Sequence, residues 1–141
     1  MKITVCGSIS FAERLVEVYG KLKELGHEPL MHEHMFRLAD GTAPQLEDSR
    51  NRVESSEIKK KYDFIRAWYS MIVDSEAVLI CNFDKKGIKN YVGGNSLMEM
   101  GFAHVNNKKV FLLNPVPDVP YRDEIKAMVD EVINGDLKKI R

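Results

Sequence analysis

Ala77-Val78-Leu79-Ile80-Cys81 is apolar at every position, with Ser75-Glu76 before it and Asn82 after it. A strand with one face in water alternates between polar and apolar residues. A run that never alternates has both faces covered, as in a central strand of a parallel sheet with helices on each side. Working outward, Lys2-Ile3-Thr4-Val5-Cys6 is a second β-rich run, ending at Gly7-Ser8. From Ser10 onward, Phe11, Leu15, Val18, Leu22 and Leu25 recur at three- and four-residue intervals, and Gly26 closes this amphipathic helix. Glu28-Pro29-Leu30-Met31 reads as a short strand whose proline suits a sheet edge. Beyond the central run, Ser96 to Val105 reads as a short helix and Lys109-Val110-Phe111-Leu112-Leu113 as a further strand. Prolines 115, 117 and 120 follow, then a helix from about Asp123 to Val129 and a possible last strand, Glu131-Val132-Ile133-Asn134.

Two stretches are less regular. Residues 33 to 54 are polar, contain Gly41 and Pro44, and show no sustained period, which predicts a lid, a binding loop or a disordered segment. Ser55-Ser56 opens a helix with one apolar stripe at Ile58, Tyr62, Ile65, Tyr69 and Ile72, and a second at Phe64, Trp68 and Met71. A surface helix needs one apolar face. Two faces predict that this helix covers the sheet and also meets a second subunit, so a homodimer is expected.

Alternating strand and helix through residues 1–141 predict a single α/β domain, a flavodoxin-like (Rossmann-like) three-layer sandwich with about five parallel strands. In such sheets ligands bind beyond the carboxyl ends of the central strands. The loops at Gly7-Ser8, Asn82-Phe83-Asp84 and Gly93-Gly94-Asn95 are therefore expected to converge on one cleft. The 141 residues are 44% hydrophobic, and 21 basic side chains balance 21 acidic ones. That balance argues against polymeric nucleic acid as a partner. The chain has no long apolar run to span a membrane and no apolar leader after Met1-Lys2, so neither a membrane nor an export route is expected. Cys6 and Cys81 sit inside apolar runs, as in a reducing compartment, and a cytoplasmic protein is expected.

Chemistry concentrates in Gly93-Gly94-Asn95-Ser96-Leu97-Met98-Glu99-Met100-Gly101-Phe102-Ala103, where Glu99 is the one charged residue. A carboxylate on a helix this apolar must be hydrogen-bonded, paired or protonated. Read in the first helical turn, behind glycines that admit a ligand, it is placed to act as a nucleophile or base. The competing reading is a capping box, Ser96-x-x-Glu99, in which the acid only closes the helix start. Spacing alone does not separate the two. Cys6-Gly7-Ser8-Ile9-Ser10 is likewise either a strand-turn-helix cradle for a phosphate or sugar hydroxyl, or a plain cap completed by Glu13.

Other candidates rank lower. His32-Glu33-His34 puts two imidazoles on one face if the strand continues, but no third ligand is identifiable, and no metal site is expected. Lys85, Lys86 and Lys89 are either a solvated loop or cations at the cleft mouth. Neither cysteine has an obvious histidine partner for nucleophilic chemistry. Trp68 and Tyr69 read as core or interface.

Two of these segments carry a resemblance. Cys6-Gly7-Ser8-Ile9 after the first strand, and Asn95-Ser96-Leu97-Met98-Glu99-Met100-Gly101-Phe102-Ala103, resemble the signatures of the nucleoside 2-deoxyribosyltransferase superfamily. The Gly-Ser-Ile turn is most similar to its branch of 2′-deoxynucleoside 5′-monophosphate hydrolases. The resemblance implies N-glycosidic bond cleavage without a cofactor: Glu99 attacks C1′ of the sugar, and water or a second base then accepts the glycosyl group. It implies a nucleoside or nucleotide as the small-molecule partner. Asp84 is then the candidate proton source for the leaving base and Asn82 its orienting group. Gly7, Ser8 and Ser96 hold the 5′ end, with Cys6, Ile9, Gly93, Gly94 and Asn95 as neighbouring substrate-binding positions. The chain departs from the family pattern at Trp68 and Gly93, where an aspartate is usual, and at Ser10, where the hydrolase branch has arginine. Those departures motivate the alternative of a catalytically silent nucleotide-binding module. A flavodoxin-type flavin carrier is a third reading.

Overall fold

A computed structural model of the chain describes residues 1–43 and 63–141. The central strand runs over Ala77–Ile80 (β3), and all four of its residues are fully buried. It pairs in parallel with β1 (Lys2–Cys6) on one side and β4 (Lys109–Leu112) on the other. Outside these lie β2 (Glu28–Leu30), carrying Pro29 at the sheet edge, and β5 (Glu131–Val132). The order is β2-β1-β3-β4-β5, parallel throughout, so the protein is an α/β, flavodoxin-like three-layer sandwich.

Five α-helices flank the sheet among the described residues: α1 (Ala12–Glu24), α2 (Glu33–Asp40), α3 (Phe64–Asp74), α4 (Gly94–Val105) and α5 (Arg122–Met128). A 3-10 turn at Ile9–Phe11 leads into α1, which buries Ala12, Leu15 and Leu22 and ends before Gly26, whose φ of +87° is the left-handed conformation glycine accepts without strain. The buried hydroxyl of Thr4 is satisfied across the sheet by Ser75 Oγ, which itself donates to the Met71 carbonyl. None of the helices among the described residues is long and apolar enough to cross a membrane.

Three expectations change. Residues 33–40, read as irregular, form α2. His32 caps its start by accepting from the His34 N–H, and Gly41 closes it at φ +76°. His34, Met35 and Leu38 are its buried side, and Phe36 meets Tyr19 of α1 edge-on at 4.9 Å between centroids. His32 and His34 therefore do not share a strand face, although their rings still lie 5.6 Å apart, edge to face. Along α3 the stripes divide differently. Trp68 and Ile72 are buried with Phe64 and Met71 packed beside them, while Ile65, Tyr69 and Val73 form an exposed row. Lastly, α4 begins at Gly94, two residues earlier than expected. Pro44, Ser55, Ser56, Ile58 and Tyr62 lie outside the described residues.

Candidate functional site

The sheet order reverses between β1 and β3, because β1 connects outward to β2 and the chain then returns across it. Connections there leave in opposite directions and open a crevice at the carboxyl ends. A cavity of about 380 Å³ occupies this position. The turn after β1 contributes Gly7, Ser8 and Ile9, the loop after β3 contributes Cys81, Phe83, Lys85 and Lys86, and the start of α4 contributes Gly93, Gly94, Asn95, Ser96 and Glu99.

Gly7 is glycine for packing: a Cβ there would sit 2.8 Å from Cδ2 of Leu15, which is fully buried in α1. Ser8 then turns the chain, and its Oγ accepts from the Ser10 N–H at 3.2 Å and from Lys85 Nζ at 2.8 Å. Ser8, rather than Ser10, is thus the cap of the 3-10 turn. A hydroxyl with both lone pairs engaged keeps its proton to donate. The Lys85 ammonium beside it is partly desolvated, and burial together with Lys86 lowers its pKa. Hydroxyl and ammonium, beside the start of α4, give this end of the cavity the donors an anion or sugar oxygen needs.

Gly93 is the N-cap of α4 and no side chain caps the helix. With the start at Gly94, Glu99 falls in the second turn, beyond reach of a capping box. That structural reading of Glu99 is overturned. Glu99 is 6% exposed and lines the cavity. Cys6 is fully buried at the end of β1, and its thiol donates to the Thr4 carbonyl at 3.9 Å. Burial and the adjacent carboxylate raise the Cys6 pKa well above its ordinary value, so the thiol keeps its proton. Cys81 is pushed up to about 12 by burial. Neither sulfur is a nucleophile in this state.

The cavity brings together Gly7, Ser8, Ile9, Gly93, Gly94, Asn95, Ser96 and Glu99. Cys6 stands behind them. Asp84 and Asn82 are not on the cavity. Asp84 is exposed and accepts from the Asn90 N–H at 2.8 Å, closing its own loop. Asn82 is 1% exposed; its amide donates to the carbonyls of Asn90, Asn114 and Pro115, and its Oδ1 accepts from the Asn114 N–H. These bonds staple the loop after β3 to the loop after β4, and they leave the side chain nothing for a base. Lys89 likewise stays outside.

Sequence reasoning missed the opposite wall. His34 and Met35 of α2, Phe64, Ile65 and Trp68 of α3, and Met98 and Phe102 of α4 face the same space. The His34 and Phe64 rings lie 4.3 Å apart at 32°, and His32 packs edge-on against Phe64 at 5.2 Å. An aromatic and thioether wall opposite a polar turn suits a flat, apolar-faced ligand group. Finding it required α2 to be read as a helix. Tyr91 also lines the cavity: a Cβ on Gly93 would come 3.2 Å from its ring, and the Tyr121 hydroxyl donates to the neighbouring Val92 carbonyl.

Among the described residues no cluster of three or more histidine, cysteine or acidic side chains is arranged to hold a metal ion. Compared with known proteins, the chain matches no family model and no curated protein.

Proposed function

We propose that this protein cleaves the N-glycosidic bond of a (deoxy)nucleoside or nucleoside 5′-monophosphate, with Glu99 as nucleophile. The observation that carries the reading is a buried glutamate, Glu99, on the wall of a 380 Å³ cavity, on a helix turn where it has no capping role. The resemblance of residues 6–9 and 95–103 to the nucleoside 2-deoxyribosyltransferase superfamily points the same way.

A Glu99 oxygen attacks C1′ as the C1′–N bond breaks; the electron pair leaves on the base nitrogen, which takes a proton from water. The carboxylate stabilises positive charge developing on the sugar, then bonds to it, as in retaining glycosidases. Water next attacks C1′, returns the carboxylate and gives up its proton to solvent. Ser8, Lys85 and the α4 start receive the 5′ end, and the His34/Phe64/Trp68 wall receives the base. The roles first assigned to Asp84 and Asn82 are withdrawn, since both side chains are spent on loop hydrogen bonds away from the cavity.

Chromatography of a panel of nucleosides and monophosphates after incubation tests this. Free base is expected with the wild type and not with Glu99→Ala; release that survives the substitution would sink the mechanism. Ligand-dependent melting shifts without base release point instead to a silent nucleotide-binding module. That alternative is favoured by Trp68 and Gly93 standing where the family usually carries aspartate. Two free, buried thiols fit a reducing, cytoplasmic setting. The exposed row on α3 is the surface through which we expect a homodimer.

A further inference from the structure

We infer that His32 is a positioning residue for the aromatic wall of the cavity, and that the wall stands in place only while this imidazole is neutral. The consequence for base binding rests on the glycosidase reading above; the link between ring and wall does not. His32 is half-buried at the N-cap of α2 and does not itself line the cavity. It touches three residues that do. Its ring packs edge-on against Phe64 at 5.2 Å, and lies 5.6 Å from the His34 ring and 6.5 Å from Trp68. Phe64 in turn holds the His34 ring at 4.3 Å. One ring outside the cavity thus braces wall residues from two helices.

The bond that seats this ring also sets its protonation. Nδ1 lies 3.1 Å from the backbone nitrogen of His34 and accepts that N–H. A backbone N–H can only donate, so Nδ1 carries the lone pair and the ring proton sits on Nε2. The His32 carbonyl accepts from the Met35 N–H at 3.0 Å. Both bonds therefore enter the first turn of α2, where His34 and Met35 line the cavity. Protonation at Nδ1 sets two donors against each other. Either the ring turns and Phe64 loses its edge contact, or the turn opens and carries His34 and Met35 with it. Both movements unseat the wall. Around the ring, Glu33 favours the imidazolium and Arg37 opposes it, and these two are bound to each other at 2.6 Å. From α3 the uncharged rings of Phe64 and Trp68 face it, and Asp63 and Arg66 at that helix start pair at 3.1 Å. Burial weighs most and favours the neutral form. His34 is the other ionisable ring of the cluster, and the variant that follows leaves it unchanged.

Trp68 is the chain's single tryptophan and is 9% exposed, so its fluorescence reports on the wall without any ligand. Acrylamide quenching is measured from pH 7.5 to 5, below the melting transition, in wild type and in His32→Asn, which keeps a cap without titrating. The wild-type quenching constant is expected to rise with a midpoint below 6.5, and that of His32→Asn to stay flat whatever its level. Nitrogen-15 NMR of the wild type is expected to show His32 Nδ1 unprotonated at pH 7.5, and faster exchange of the His34 amide as Nδ1 gains its proton. In base release, KM is expected to rise about fivefold or more over the same range in wild type and not in His32→Asn, the scale of coupling between linked groups. A flat wild-type constant, a parallel rise in His32→Asn, equal KM changes in both, or a protonated Nδ1 at pH 7.5 overturns the inference. Stability lost with unchanged quenching is the mark of a merely structural cap and overturns it too. A wild type that releases no base defeats the glycosidase reading instead, and quenching and NMR still decide the wall. If His32→Asn does not fold, the wild-type titration carries the test: Phe64 and Trp68 ring resonances that shift with the His32 midpoint support the link, and any other midpoint refutes it.

Discussion

Glu99 is 6% exposed, and a carboxylate so placed costs several kcal/mol unless its surroundings compensate. Glu99→Gln removes the charge at nearly constant volume. Base release is expected to fall about 10³-fold or more, the scale of losing a covalent nucleophile, while the thermal midpoint stays or rises. A variant that unfolds instead would assign Glu99 a structural role. At the other end of the cavity, Lys85→Ala removes an ammonium 2.8 Å from Ser8 Oγ. Its KM for a nucleoside monophosphate is expected to rise about tenfold to a hundredfold, the value of a charge-assisted hydrogen bond, with the unphosphorylated nucleoside little affected. Equal effects on both substrates would remove the phosphate from this site. At this scale Glu99 and the Gly7-Ser8 turn were legible, because a lone acid in an apolar helix and a glycine after a strand are local signals. Asn82 and Asp84 were misread for want of a non-local one. Nothing near Asn82 in sequence announces that its partners are Asn114 and Pro115.

Elements carry the site through their ends. Helix α2 was invisible to periodicity because it has only eight residues, Glu33, Arg37 and Asp40 among them, and its apolar side shows only against α1. What holds it is a cap at each end and the packing of Met35 and Leu38. The first cap is a titratable group. The neutral His32 Nδ1 accepts the His34 N–H, and burial lowers the His32 pKa below its ordinary value of 6.5. An unfolded chain therefore binds this proton more readily than the folded one. The contribution is complete above about pH 6.5 and is lost as pH falls through 6.5 toward the lower folded value. Between pH 7.5 and 5, thermal melts should show wild type losing more stability than His32→Asn, which keeps a cap without titrating; parallel losses would refute the assignment. Asn82 is the second such fastening. Its replacement by alanine should cost about 2–3 kcal/mol in denaturant unfolding, since four backbone groups lose a partner. A loss under about 0.5 kcal/mol, the scale of ordinary surface substitutions, would mean water replaces the staple.

Across the whole molecule, the sheet explains why residues separated by ninety positions meet. Parallel pairing of β1 with β3 sets Cys6 beside Ile80, so the Gly7 turn and the β3 loop emerge side by side, and α4 returns over them with Glu99. The uninterrupted apolar run at 77–81 made this architecture legible, since only a strand covered on both faces can be so uniform. The doubly apolar character of α3 was also legible, but the membership of its faces was not: Ile72 turns inward with Trp68, leaving Ile65, Tyr69 and Val73 outside. If that row pairs two copies, light scattering of the wild type will give a dimer mass at micromolar concentration and Ile65→Asp/Val73→Asp a monomer. A monomeric wild type would contradict the pairing.

The central claim is a bond between Glu99 and a sugar. Intact-protein mass spectrometry after incubation with 2′-fluoro-2′-deoxy nucleosides and their monophosphates tests it most directly, because the fluorine slows release of a glycosyl adduct. The account predicts a mass increase of one glycosyl unit, mapped by peptide fragmentation to Glu99 and absent from Glu99→Gln. Base released with the protein mass unchanged at every time point, or an adduct on any other residue, would contradict it.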